Sequence, residues 1–148
     1  MTKHGTILLV EEHSGALLTR RAFEEADIHN PVQVVHSGEE AVKYLSGQGK
    51  FGDRTAHPMP SLVLLDLTMP GEGGFVALRW LYERPGLRKK FTLIALGAAN
   101  ADTEVQLAYE LGAQSYLVKP ADLKQWVATA RRVKEYWIEL NLQLENAA

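Results

Sequence analysis

Short apolar runs alternate with amphipathic stretches along this chain. Residues 6–10, 32–35, 62–65, 92–96 and 115–118 read as five strands. Most are continuously apolar rather than alternating, as expected where helices cover both faces of a parallel sheet. The intervening segments carry helical spacing and start signals. The first begins at Ser14, with Leu18, Ala22 and Ala26 at four-residue intervals. The second opens with Ser37-Gly38-Glu39-Glu40, a capping-box pattern in which Ser37 and Glu40 satisfy each other's free N–H groups. A third, from about Gly74 to Arg84, is stopped by Pro85-Gly86. The fourth starts near Asp102 as N-cap and ends with Gly112 as a left-handed C′ residue. The fifth starts at Asp122, after Pro120, and runs well past the last strand.

Strands alternating with helices imply a doubly wound parallel sheet with right-handed crossovers. For five strands the predicted α/β architecture is flavodoxin-like, order 2-1-3-4-5, with helices on both faces and an extended C-terminal helix. The expectation is one domain over 1–148, with a core of about 5–135 and a helical extension of about 136–146. There is no internal repeat. The stretch 47–60 is longer than most connections in such folds and reads as a surface insertion more readily than as a partner-contacting excursion.

Composition narrows the function classes. The 148 residues are 46% hydrophobic and 23% charged, the balance of an ordinary globular domain. A formal net charge of -2 offers no basic field for nucleic acid and no polybasic membrane anchor. No cysteine is present, which removes disulfides, thiolate nucleophiles and Cys-ligated zinc. The apolar run 7–10 is far too short for a signal peptide or a membrane span, so a cytoplasmic location is expected.

Open α/β sheets place their sites beyond the carboxyl ends of strands where the strand order reverses, here between strands one and three. That geometry delivers Glu11 and Glu12 from the first strand and Asp66 from the third. Three carboxylates at one sheet end call for a cation, and a hard oxygen-seeking ion such as Mg²⁺ is the natural candidate. Lys119 ends the fifth strand, within reach of the same pocket as a point charge for phosphate. Each piece alone has a plainer reading: a helix-start carboxylate pair, a loop Asp, a solvated Lys. Their joint placement at three strand ends is what carries specificity.

Ile7-Leu8-Leu9-Val10-Glu11-Glu12, Leu65-Asp66-Leu67-Thr68-Met69-Pro70 with Gly74 beyond it, and Val118-Lys119-Pro120 together resemble the three signature segments of response-regulator receivers. The resemblance spans nearly the whole chain. It implies that Asp66 accepts a phosphoryl group from a histidine kinase's phosphohistidine, as a signalling acceptor rather than an enzyme. It further implies Mg²⁺ held by Glu12, Asp66 and the Thr68 carbonyl, with Glu11 acting through metal-bound water. Lys119 would contact a phosphoryl oxygen, Tyr116 stands at the family's aromatic switch position, and Pro120 at its Lys-Pro turn, often a cis bond.

Two positions depart from the family pattern. Glu12 stands where a shorter Asp is usual, and Gly97 where Ser or Thr normally closes the fourth strand. A hydrogen bond to a charged group is worth about 1.5–3 kcal/mol, so losing the hydroxyl would weaken a phospho-switch roughly ten- to a hundredfold. The competing reading is therefore a pseudo-receiver, a binding module without a working switch. A haloacid-dehalogenase-type phosphatase would need a second Asp where Thr68 stands, and a flavin or nucleotide binder would need a phosphate-cradling loop in place of Glu11-Glu12-His13. His4, His13, His29, His36 and His57 have no ligand spacing and read as ordinary surface or loop residues.

Leu123, Trp126, Ala130, Val133, Trp137, Leu140 and Leu144 form a heptad seam on the last helix. Its end, with Trp137, Leu140 and Leu144, is expected either to project as a homodimer interface or to fold along its own domain. With no second domain after it, output through protein contact is expected. The long loop and Trp-containing tail resemble single-domain receivers that partner bacterial phytochrome kinases.

Overall fold

Five parallel strands form the centre of the computed structural model, which describes residues 5–71 and 73–140. They are β1 (Ile7–Val10), β2 (Val32–Val35), β3 (Leu62–Asp66), β4 (Thr92–Gly97) and β5 (Ser115–Val118), in the order β2-β1-β3-β4-β5. β1, β3 and β4 are buried along their whole length, whereas the edges β2 and β5 are mostly half-exposed. Continuous apolar runs thus belong to strands with both faces covered.

Successive strand residues feed opposite layers. Leu8, Val10, Val63, Leu65, Leu93 and Ala95 pack with residues of α2 (Gly38–Ser46), α3 (Gly73–Tyr82) and α5 (Asp102–Glu110). Ile7, Leu9, Leu62, Leu64 and Ile94 pack against α1 (His13–Glu25) and α6 (Leu123–Val133) on the other side. The predicted order and two-layer covering are both present.

Helix ends differ from expectation in instructive ways. Ser37 accepts the Glu40 N–H at 3.1 Å, but Glu40 returns its carboxylate to the His36 N–H at 2.8 Å, one residue before the N-cap. Asp102 is not an N-cap: Ala101 holds that place without a side-chain bond, and Asp102 with Glu104 instead complements the dipole in the first turn. Gly112 does adopt the left-handed form, at φ 106°. Pro85 does not merely stop α3, which already ends at Tyr82; it opens a one-turn helix, α4 (Pro85–Arg88), since a first-turn proline has no N–H to lose.

The stretch 47–60 is tied to α2. Gly47 turns left-handed at φ 72°, and a 3₁₀ turn follows at Gly49–Gly52. Arg54 then covers the carbonyls that end α2, donating to Tyr44 at 2.7 Å and Leu45 at 2.9 Å. Phe51 packs tilted against the Tyr44 ring and His57 meets it edge-on.

The last helix holds the main surprise. Asp122 caps α6 by accepting the Gln125 N–H at 2.8 Å, and Trp126, Ala130 and Val133 are buried as predicted. Lys134–Leu140 then continues as a π-helix. Its wider turn shifts the seam by one residue, so Ile138 rather than Trp137 follows Val133 into the core. Trp137 is half-buried against the same cluster, and Leu140 is 73% exposed; Leu144 lies outside the described residues. The helix therefore folds along its own domain as far as Ile138, while Tyr136 and Leu140 turn outward. Ile138→Ala is expected to cost about 2 kcal/mol, whereas Leu140→Ala stays within about 0.5 kcal/mol. Urea unfolding midpoints compare them, and equal costs would argue against the shifted seam.

Candidate functional site

Register sets the site. Val10 pairs with Leu65, so the residues that follow, Glu11 and Asp66, leave adjacent strands at the same level. Gly97 pairs with Val118, which places Lys119 one step beyond on the edge strand. Close approach of α3 to this end depends on Gly74, where a Cβ would lie 2.6 Å from the Asp66 carbonyl oxygen and 2.9 Å from Leu67.

The Asp66 side chain is 2% exposed, and three donors hold its carboxylate. Lys119 Nζ donates to Oδ2 at 2.6 Å. The Thr68 N–H and hydroxyl donate to Oδ1 at 2.8 Å and 2.6 Å. A buried anion without partners is strongly unfavourable, and charge-assisted bonds to both oxygens offset that cost. Lys119, expected as a phosphate contact, thus sits on the Asp66 carboxylate itself. Its side chain is 32% exposed, and its Nζ also lies 3.4 Å from the Thr68 hydroxyl.

Glu11 is fully buried. The Thr19 hydroxyl donates to its Oε1 at 2.6 Å, while Oε2 has no hydrogen-bond partner. Gly15 makes room for that second oxygen, since a Cβ there would stand 2.7 Å from it. Desolvation pushes the Glu11 pKa up, with Asp66 adding to the rise and Thr19 and Lys119 opposing it. Thr19 and Gly15 are functional neighbours that sequence reasoning missed. The available signal was a polar residue on the buried face of α1, one turn from Ala22.

Glu12 behaves differently. It is the exposed N-cap of α1, makes no side-chain cap bond, and lines a depression of about 400 Å³ with His36, Ser37, Glu39, Met69 and Gly71. The three carboxylates do not form a cage: among the described residues no group of three His, Cys, Asp or Glu side chains is gathered for a metal. The local donors nevertheless suit a hard cation, being all oxygen and including the unpartnered buried Oε2 of Glu11. His13 and His36, expected as ordinary surface residues, meet with ring centroids 5.5 Å apart, and His36 Nδ1 lies 2.9 Å from the Glu11 carbonyl.

On β5, the Tyr116 hydroxyl donates to the Ala98 carbonyl at 3.1 Å, close beside Gly97. No cis peptide bond occurs among the described residues, so the Lys119–Pro120 bond is trans, contrary to the family tendency.

The profile of the response regulator receiver domain matches residues 7–131. The crystal structure of response regulator RPA3017 in red light signaling of R. palustris superposes with a TM-score of 0.86 at 31% identity, covering 95% of this chain and 99% of that one. The phosphorylated cyanobacterial phytochrome response regulator RcpA gives a TM-score of 0.82 at 26% identity, covering 95% and 98%. Response regulator Rcp1 of Synechocystis sp. is 28% identical over 90% of this chain and 88% of its own length, and its Mn²⁺-bound form gives a TM-score of 0.80.

The buried Glu11 generates a pH prediction. Because its folded pKa is raised, the folded state binds this proton more tightly than the unfolded state does. Stability from this group therefore falls as pH rises from 4.5 through the raised value. Metal-free Glu11→Gln is expected to unfold at a higher temperature than the parent near neutral pH. The difference should close as pH falls below 4.5. Parallel pH profiles from thermal melts would refute this account of Glu11.

Proposed function

The chain belongs to the response-regulator receiver domain family, and from that premise we propose that it is a signalling phospho-acceptor whose Asp66 takes a phosphoryl group from a histidine kinase. Members of this family are signalling proteins rather than enzymes. The observation that carries the reading is a buried carboxylate at the β1/β3 switch point, with Lys119 on one oxygen and Thr68 on the other.

In the transfer, an Asp66 oxygen attacks phosphorus, the P–N bond of the phosphohistidine breaks, and the imidazole departs with the bonding pair. An acyl phosphate remains. The transition state is loose, so the protein contributes position and charge rather than covalent chemistry. The Thr68 N–H holds Oδ1 and fixes the carboxylate plane. Lys119, on a flexible stem, moves its ammonium from Oδ2 to the arriving phosphoryl oxygens. Receiver domains bind Mg²⁺ or Mn²⁺ at the phosphorylation site. Here Glu12, Asp66 and the Thr68 carbonyl would hold Mg²⁺, with Glu11 reaching it through water. When bound, the ion neutralises charge between carboxylate and phosphoryl group.

The partner proposed is a histidine kinase of the phytochrome type, supported by the likeness to RcpA and to RPA3017. Output is by protein contact in the cytoplasm, without nucleic acid or membrane; no helix among the described residues is long and apolar enough to cross a bilayer. A homodimer through the C-terminal helix, with Trp137, Leu140 and Leu144 as its proposed contacts, is supported by the outward Leu140 and the 52%-exposed Tyr136; Leu144 lies outside the described residues. A second reading, a binding module without a working switch, is favoured by Gly97, which has no hydroxyl for the phosphoryl group.

Incubation with acetyl phosphate or a phosphorylated kinase and Mg²⁺ is expected to add one phosphoryl mass to the parent and none to Asp66→Asn. No adduct from any donor would leave the binding-module reading. Light scattering at micromolar concentration checks the dimer, and a monomeric mass would contradict it.

A further inference from the structure

Gly97 ends β4 one residue beyond Leu96, the β4 partner of Asp66. A missing side chain at this position should leave a hole, yet the hole is filled. A Cβ on Gly97 would overlap the Tyr116 hydroxyl and its Cζ, and would lie 2.9 Å from Cε2. The ring is laid across the end of β4, in the volume that any residue other than glycine would claim.

Several contacts keep it there. The hydroxyl donates to the Ala98 carbonyl at 3.1 Å, and the Tyr116 N–H donates to the Tyr109 hydroxyl at 3.0 Å, tying β5 to α5. The ring packs against the core layer that includes Leu93, Ala95, Ala108 and Ala113. Burial, and secondarily the nearby Glu104 carboxylate, push the phenol pKa up, so the hydroxyl remains a donor. None of these contacts involves Asp66, Thr68 or the Lys119 ammonium.

We infer that Gly97 is the seat of Tyr116: with no side chain at position 97, the ring holds its inward place whatever the state of Asp66, and the α5–β5 face is set by packing rather than by phosphorylation. The regulatory meaning rests on the reading of Asp66 as the acceptor. A residue with a side chain at 97 would have to withdraw before the ring could enter; here nothing has to move. The acceptor and the aromatic are neighbours on one sheet end, but they are not coupled through a side chain at 97.

The test uses the full chain with isotope-labelled tyrosine, assigned through Tyr116→Phe, with and without Mg²⁺ and beryllofluoride. The fluorine resonance of bound beryllofluoride reports occupancy of Asp66 independently of the ring. Nuclear Overhauser contacts from the Tyr116 ring to the Gly97 Hα protons are expected in the unmodified protein and unchanged when beryllofluoride binds. Contacts that are absent at first and appear only with beryllofluoride would overturn the inference. So would contacts that are lost on binding. If no bound fluorine signal appears, the acceptor reading fails, and contacts in the unmodified protein still decide whether Gly97 seats the ring. Gly97→Ala is expected to evict the ring and lower the melting temperature, with a smaller loss in a Tyr116→Ala background. A Gly97→Ala protein that melts like the parent with the ring unmoved would also overturn it.

Discussion

A negative charge kept out of water is the constraint around which this sheet end is built. Asp66 is almost wholly buried, and a carboxylate in that setting remains ionised only if donors replace its hydration. The replacements come from two strand ends. Thr68 folds back on Oδ1 because the chain turns immediately after β3, and Lys119 reaches Oδ2 because β5 ends at the same level as β4. Gly74 lets α3 start close enough to seal the pocket. Strand order, register and one glycine all serve that carboxylate.

Much of this was legible from the residues alone. Both sheet faces had to be covered, so the apolar runs stayed unbroken and the strands stood out. The switch-point rule then put Asp66, Glu11 and Lys119 at one end before any distance was known. What could not be read was how the charges would be shared. Repulsion among carboxylates argued for an external cation, whereas Lys119 already neutralises Asp66 and Glu11 shelters beside Thr19. Thr19 was missed because its one signal, a polar residue on the buried face of α1, does not say which group its hydroxyl serves. The seam of the last helix was misplaced at Trp137 because heptad counting assumes α-helical turns, and a π-helical turn carries Ile138 inward instead.

Glu11 and Glu12 show how adjacent identical residues acquire different chemistry. Glu11 follows β1 into the interior, where desolvation raises its pKa and leaves one oxygen unpartnered. Glu12 stands exposed at the N-cap position of α1, without a cap bond, and opens onto the depression beside His36 and Met69. A cation held at this end would have near it a buried oxygen that gains from neutralisation and an exposed carboxylate with the freedom of an extra methylene to move. The longer side chain at position 12 therefore matters less for charge than for how tightly the donor is positioned.

Two connections meet at Gly97 and differ in kind. The Lys119 amide donates to the Gly97 carbonyl at 2.9 Å, so the backbone at this strand end positions the stem of the lysine that neutralises Asp66. The absent Cβ of the same glycine admits Tyr116. An ammonium on a four-carbon stem can pass from one anion to another by rotating about single bonds, leaving its backbone in place. A half-buried ring seated in the volume of an absent Cβ is held by the packing on its inner side rather than by a charge. On the proposed reading of Asp66, charge transferred there would be absorbed first by the Lys119 side chain and the turn carrying Thr68, while the aromatic beside them would stay fixed. In a protein with a hydroxyl at this strand end, one side chain would face both events; here glycine separates them.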